Sequence, residues 1–193
     1  MARTAQALRR KAVARKPLPA LLAFTDPQRT PDVEAMARAL PRGTALVYRA
    51  FGAPDAQAAA RRLKAICRAR GLILLIGADA SLAARAGADG VHLPERLAHR
   101  APALRRTYPH WLVTAAAHGP RATRVRADAV VVSAIFPSAS PSAGKPIGTL
   151  RLAQVVRGAA SPVYALGGIN DKTARRLLST GVIGIAAVES LRT

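Results

Sequence analysis

Short apolar runs alternate along this chain with Ala- and Arg-rich stretches of helical periodicity. The runs fall at 21–25, 45–48, 72–76, 90–93, 112–117, 129–135, 163–166 and 183–188. They are strand-length and apolar at consecutive rather than alternate positions, the pattern of parallel strands buried on both faces. Helical patterns cover 32–40, 55–70, 79–86, 96–107, 120–126, 149–158 and 171–180. Pro31-Asp32, Pro54-Asp55 and Asn170-Asp171 stand at helix starts, and Gly71, Gly87 and Gly181 at helix ends. β-α repetition therefore runs through the whole chain.

Two architectures fit that repetition: a closed eight-stranded barrel or an open doubly wound sheet. The open sheet of the dinucleotide-binding type needs a glycine-rich turn after its first strand, where this chain has Thr25-Asp26-Pro27. Eight units favour closure. The expected fold is a compact (β/α)8 TIM barrel with an extra N-terminal helix and a missing or truncated last helix, because Thr193 follows strand eight too soon for a full one. Residues 1–19 read as a basic N-terminal helix and linker, and 20–193 as the barrel domain. The basic helix, with Leu8 and Val13 on a narrow stripe, is expected to cap one end of the barrel. Strand eight then lacks cover unless that helix packs over it, and a homodimer with its contact near that strand is the favoured solution.

Half of the 193 residues are hydrophobic but only 4% are aromatic, so Ala, Val, Leu and Ile must build one core. The single Cys67 can form no internal disulfide, which fits a reduced, cytoplasmic setting. No apolar stretch reaches the roughly 20 residues of a membrane span. Net charge is +20, and a field of that size attracts anions. Paired Cys/His spacings, aromatic strand signatures and helix-turn-helix patterns are all missing, so a specific nucleic-acid partner is not expected. A small phosphorylated metabolite is.

On a barrel, chemistry gathers at the C-terminal ends of the strands. Gly167-Gly168-Ile169-Asn170 follows strand seven and opens a helix, a place where backbone N–H groups can approach a phosphate; a tight turn needing positive φ is the plainer reading. His118 ends strand five behind three alanines and is the candidate acid/base. His92 reads as a core histidine, and His99 and His110 as solvated ones. Arg49 closes strand two, where its fork can grip a phosphate or form a rim salt bridge. The small-residue loop 136–145 reads as a lid bringing Ser138, Ser140 and Lys145 to phosphate oxygens.

Ala88-Asp89-Gly90-Val91-His92-Leu93, then Ala116-Ala117-His118, Ser133-Ala134-Ile135-Phe136-Pro137-Ser138, Ala165-Leu166-Gly167-Gly168-Ile169 and Gly184-Ile185-Ala186-Ala187-Val188 occur in a telling order. The series resembles the thiamine phosphate synthase superfamily over roughly residues 20–190. That resemblance implies a barrel that binds thiazole phosphate, with Gly167, Gly168 and the Val188/Glu189 backbone at the phosphate. Synthases join it to an aminopyrimidine pyrophosphate with magnesium; the related thiazole tautomerases of the TenI type shift a proton without metal. Several family positions are changed. Of Gln-x-Arg-x-Lys after strand two only Arg49 remains, in Val47-Tyr48-Arg49-Ala50-Phe51. Gly77-Ala78 stands for Asn-Asp, Leu97 for a second aspartate, Ala116 and Glu189 for serines. Magnesium needs carboxylate oxygens, so no metal site and no cofactor are expected, although Asp79 or Glu95 lie nearby. The leading expectation is tautomerase-like proton transfer by His118. A divergent synthase and a non-catalytic phosphate-binding or regulatory barrel are the alternatives.

Overall fold

The computed structural model describes residues 1–10, 17–119, 122–138 and 144–188. Eight parallel strands follow one another around a closed barrel: β1 Leu21–Phe24, β2 Ala45–Tyr48, β3 Ile73–Gly77, β4 Gly90–Leu93, β5 Leu112–Ala117, β6 Ala129–Val132, β7 Val163–Leu166 and β8 Gly184–Ala187. Closure is direct, with Leu22 of β1 in register with Ala186 of β8. Alternate side chains point in and out. Leu22, Val47, Leu75, Val131 and Tyr164 pack together inside, while Ala23, Leu46, Leu74 and Val91 pack outward against helices.

The helices are α1 Ala2–Arg10, α2 Val33–Ala39, α3 Ala56–Arg70, α4 Ala80–Arg85, α5 Ala101–Thr107, α6 Gly148–Gly158 and α7 Asp171–Ala174. Asp32 caps α2 by accepting from the Ala35 amide at 2.8 Å, and Gly71 ends α3 in the left-handed region at φ 65°. Two helical expectations shrink. The stretch 120–126 is a single 3-10 turn, Ala122–Arg124, among its described residues. The stretch 171–180 holds only the four residues of α7 and a 3-10 turn, Arg175–Leu177; the Thr180 hydroxyl bonds the Leu177 carbonyl at 2.7 Å and takes an acceptor a longer helix would use.

The N-terminal helix corrects the expectation of an end cap. Ala5 and Leu8, 0% and 2% exposed, lie one helical turn apart and join Leu177, Val182 and Ile185 in one apolar cluster. α1 thus lies against the outer face of β8, and the Met1 ammonium pairs with Asp171 at the start of α7. With strand eight covered from within the chain, its packing no longer calls for a second subunit.

The lower end of the barrel, at the strand N-termini, is closely tied. Asp89 accepts from the Leu74 amide at 2.8 Å and pairs with Lys64. Asp128 repeats the device two strands on, accepting from Val113 at 2.9 Å and pairing with Arg105 at 2.9 Å. The buried Tyr164 hydroxyl donates to the Pro19 carbonyl at 2.5 Å, and Gly184 leaves room for that ring, which a Cβ there would meet at 2.7 Å.

Candidate active site at the mouth of the barrel

The upper end opens into a cavity of about 1150 Å³ lined from all eight strand ends and their loops. Gly77, His118 and Gly168 all face it, as the barrel register requires. Of the candidate residues, Arg49, Ser138, Gly167 and Val188 line it as well. Lys145 is exposed and does not. Ser140 and Glu189 lie outside the described residues.

His118 has a partner that a sequence scan does not pair with it. Glu95 Oε2 accepts from both the backbone amide and the ring Nδ1 of His118, at 2.6 and 2.7 Å. The two residues sit on neighbouring loops, after β4 and β5, so the barrel brings them together across 23 positions of sequence. A carboxylate on Nδ1 places the proton there, leaves Nε2 as the basic nitrogen, and steadies the imidazolium once formed. Both side chains are open to solvent, at 61% and 42% exposure, so a ligand can reach them.

Arg49 is held otherwise than as a free fork. Its Nε donates to the Thr25 carbonyl at 2.6 Å and its Nη2 to Asp26 Oδ2 at 3.0 Å, so two of its donors turn inward. Partial burial lowers the guanidinium's pKa from its ordinary value, which the adjacent Asp26 opposes; arginine stays charged throughout. The cation also lies 5.9 Å from the buried Phe24 ring and 5.0 Å from the exposed Phe51 ring.

His92 forms the cavity floor as a satisfied core residue. Its Nδ1 meets Thr114 Oγ1 at 2.9 Å and its ring stands edge-on to Phe24 at 4.8 Å. Burial lowers its pKa to about 3, with Arg49 adding to the shift, so it is neutral at any ordinary pH. His99 and His110 are exposed.

The Gly167-Gly168 turn is at φ 102° and 64°. A Cβ on Gly168 would stand 2.3 Å from the Pro137 carbonyl oxygen, so this glycine lets the β7 loop press against the β6 loop. The following helix end is already capped: Asn170 Oδ1 accepts from the Lys172 and Thr173 amides. An anion here must therefore use the glycine turn itself more than the first turn of α7.

The carboxylates near the family's metal position do not fit magnesium. Asp79 Oδ1 caps α4 through the Leu82 amide at 2.8 Å, Glu95 is taken by His118, and Leu97 packs into the apolar layer outside the barrel. Among the described residues no group of three or more His, Cys, Asp or Glu could hold a metal. Magnesium needs several oxygen ligands arranged around it. Ala78 is instead left-handed at φ 67°, a conformation Asn and Asp adopt far more readily than Ala.

Sequence reasoning passed over Arg29, Arg85 and Arg96, which also line the mouth and make it strongly cationic. Among so many arginines nothing in the sequence distinguished them. Phe51 was also passed over as a lining residue, and it is strained: φ is 48° for a bulky side chain, a state costing on the order of 1–3 kcal/mol.

The comparisons with known proteins agree with one another. A family model described as thiamine monophosphate synthase (TMP-TENI) matches residues 21–191. The putative thiamine-phosphate synthase 2 of Aquifex aeolicus is 30% identical over 180 residues, covering 89% of this chain and 96% of that protein. The thiamine-phosphate synthase of Alcanivorax borkumensis is 29% identical, covering 89% and 84%. Among solved structures, a thiamine phosphate pyrophosphorylase from Pyrococcus furiosus superposes with a TM-score of 0.75 at 25% identity, covering 97% of this chain and 92% of that one. Barrel, ordered loop motifs and full-length likeness converge: the chain belongs to the thiamine monophosphate synthase/TenI family.

Proposed function

We propose that the chain binds thiazole phosphate across the barrel mouth, with the phosphate at the Gly167-Gly168 turn and the ring directed toward His118. The observation that carries this is the shared cavity: the glycine turn, His118 with Glu95 on its Nδ1, and a cationic rim meet at one space of ligand size, which His118 and not Glu95 lines. Ser138 and the Val188 backbone are the further phosphate contacts, with Ser140 and Glu189 proposed from sequence position alone.

Two reactions suit such a complex. Condensation with an aminopyrimidine pyrophosphate is the reading the comparisons favour, since the relatives bear the name of that activity. Arg29, Arg85 and Arg96 offer positive charge to a leaving pyrophosphate. Proton transfer on the thiazole is the second reading, and one observation favours it: Glu95 orients His118 as a general base with Nε2 free to take a proton and return it.

One assay separates them. The protein is incubated with thiazole phosphate and the pyrimidine pyrophosphate, with magnesium and with EDTA, and products are followed by chromatography; in parallel the thiazole carboxylate phosphate tautomers are followed by NMR. Thiamine phosphate establishes condensation, and tautomer interconversion establishes proton transfer. Failure of calorimetry to detect thiazole phosphate binding overturns the proposal.

A further inference from the structure

We propose that Phe51 is a stacking platform that selects ligands carrying a planar aromatic ring, a role that deepens the binding reading above. Phe51 belongs to the turn Ala50–Ala53, closed by the Ala53 amide on the Ala50 carbonyl at 3.0 Å. Both central residues have positive φ, 48° for Phe51 and 81° for Gly52. Such turns are built from Gly, Asn and Asp, whose small or self-bonding side chains tolerate that backbone. A phenylalanine in the first central position is a strained choice.

Packing does not repay the strain. The ring is 66% exposed, the largest exposure among the large hydrophobic residues of the rim, and it lies in none of the apolar clusters. Its described ring contact is the Arg49 cation at 5.0 Å, which continues to the buried Phe24 at 5.9 Å. That makes a ladder of aromatic, cation and aromatic from cavity floor to rim, with Arg49 fixed by Thr25 and Asp26 so that it cannot swing away. A ring held out over a cavity, with a cation nearby, stacks best on a flat and electron-poor or anionic ligand. The family resemblance puts a lysine at this position, so the change replaces a charge by a surface that recognises shape.

The test compares wild type with Phe51→Gly, which removes ring and strain together, and Phe51→Tyr, which keeps the ring. The probes are thiazole phosphate, anilinonaphthalene sulfonate and inorganic phosphate, with binding by calorimetry or fluorescence and melting by calorimetry. Phe51→Gly is expected to melt at or above the wild-type temperature and to bind both ring-bearing probes about three- to tenfold more weakly. Its affinity for inorganic phosphate is expected to stay unchanged, and Phe51→Tyr to bind as wild type does. Unchanged ring-probe affinity in Phe51→Gly, an equal loss for inorganic phosphate, or a melting temperature several degrees lower would each overturn the platform. Phe51-dependent binding of the sulfonate without any binding of thiazole phosphate would support the platform and defeat the proposed function instead. A wild type that binds neither ring-bearing probe defeats both.

Discussion

The two ends of this barrel use the same polar residue types in opposite ways. At the lower end each carboxylate is committed to the fold: Asp89 and Asp128 each take a strand amide and a cation. At the mouth the pair Glu95–His118 is open to solvent, two non-glycine residues hold positive φ, and an aromatic ring stands in water. Below, the charged contacts serve the fold; above, contacts that serve it, such as the Asp79 cap and the Arg49–Asp26 pair, stand beside features that stability does not explain. That division is what a barrel with its site at the strand C-termini requires.

Breaking the lower end is expected to cost the most. Asp128→Ala leaves the Val113 amide without its acceptor and removes the partner of the part-exposed Arg105, for a loss of about 3 kcal/mol in denaturant unfolding, with ligand affinity of the folded fraction unchanged. The wall comes next. Leu8→Ala removes a buried side chain from the layer over β8 and is expected to cost about 2–3 kcal/mol by the same measurement. A change of a few tenths there would mean that α1 does not stay on the barrel.

His92 sharpens the contrast through pH. Its folded pKa is about 3, against about 6.5 in an unfolded chain. Between those values the unfolded chain takes up the proton and the folded one does not, so stability declines as pH falls below about 6.5. At pH 5 the loss relative to pH 7 is about 2 kcal/mol, and His92→Asn is expected to lack that component when the two proteins are unfolded side by side. The smallest stability effect belongs to the mouth. Glu95→Gln is expected to change stability by no more than about 0.5 kcal/mol, while any proton-transfer turnover falls about tenfold or more.

Sequence carried most of the frame. The runs at 45–48, 90–93, 112–117 and 163–166 coincide with strands because each is short and dominated by apolar residues, with His92 and Thr114 the polar exceptions that bond each other. Asp32 and Asn170 mark real helix starts for the same local reason: one side chain satisfies one or two amides. What depends on distant partners was not legible. An apolar stripe on α1 says that the helix packs, and not that it packs on β8. His118 was visible as a histidine at a strand end, but Glu95 becomes its partner only when β4 and β5 lie side by side. Arg49 was legible as a phosphate grip or a rim salt bridge, but that Asp26 is its partner depends on the neighbouring strand end. Phe51 was hidden because backbone sign is not read from a residue that rarely takes it.

The most direct test of the account is calorimetric titration of wild type with thiazole phosphate, once in magnesium and once in EDTA. Since the described donors do not fit a metal, and the proposed phosphate contacts are the glycine turn and the cationic rim, the same dissociation constant is expected in both buffers. Binding that appears only with magnesium, or no binding in either buffer, would contradict it.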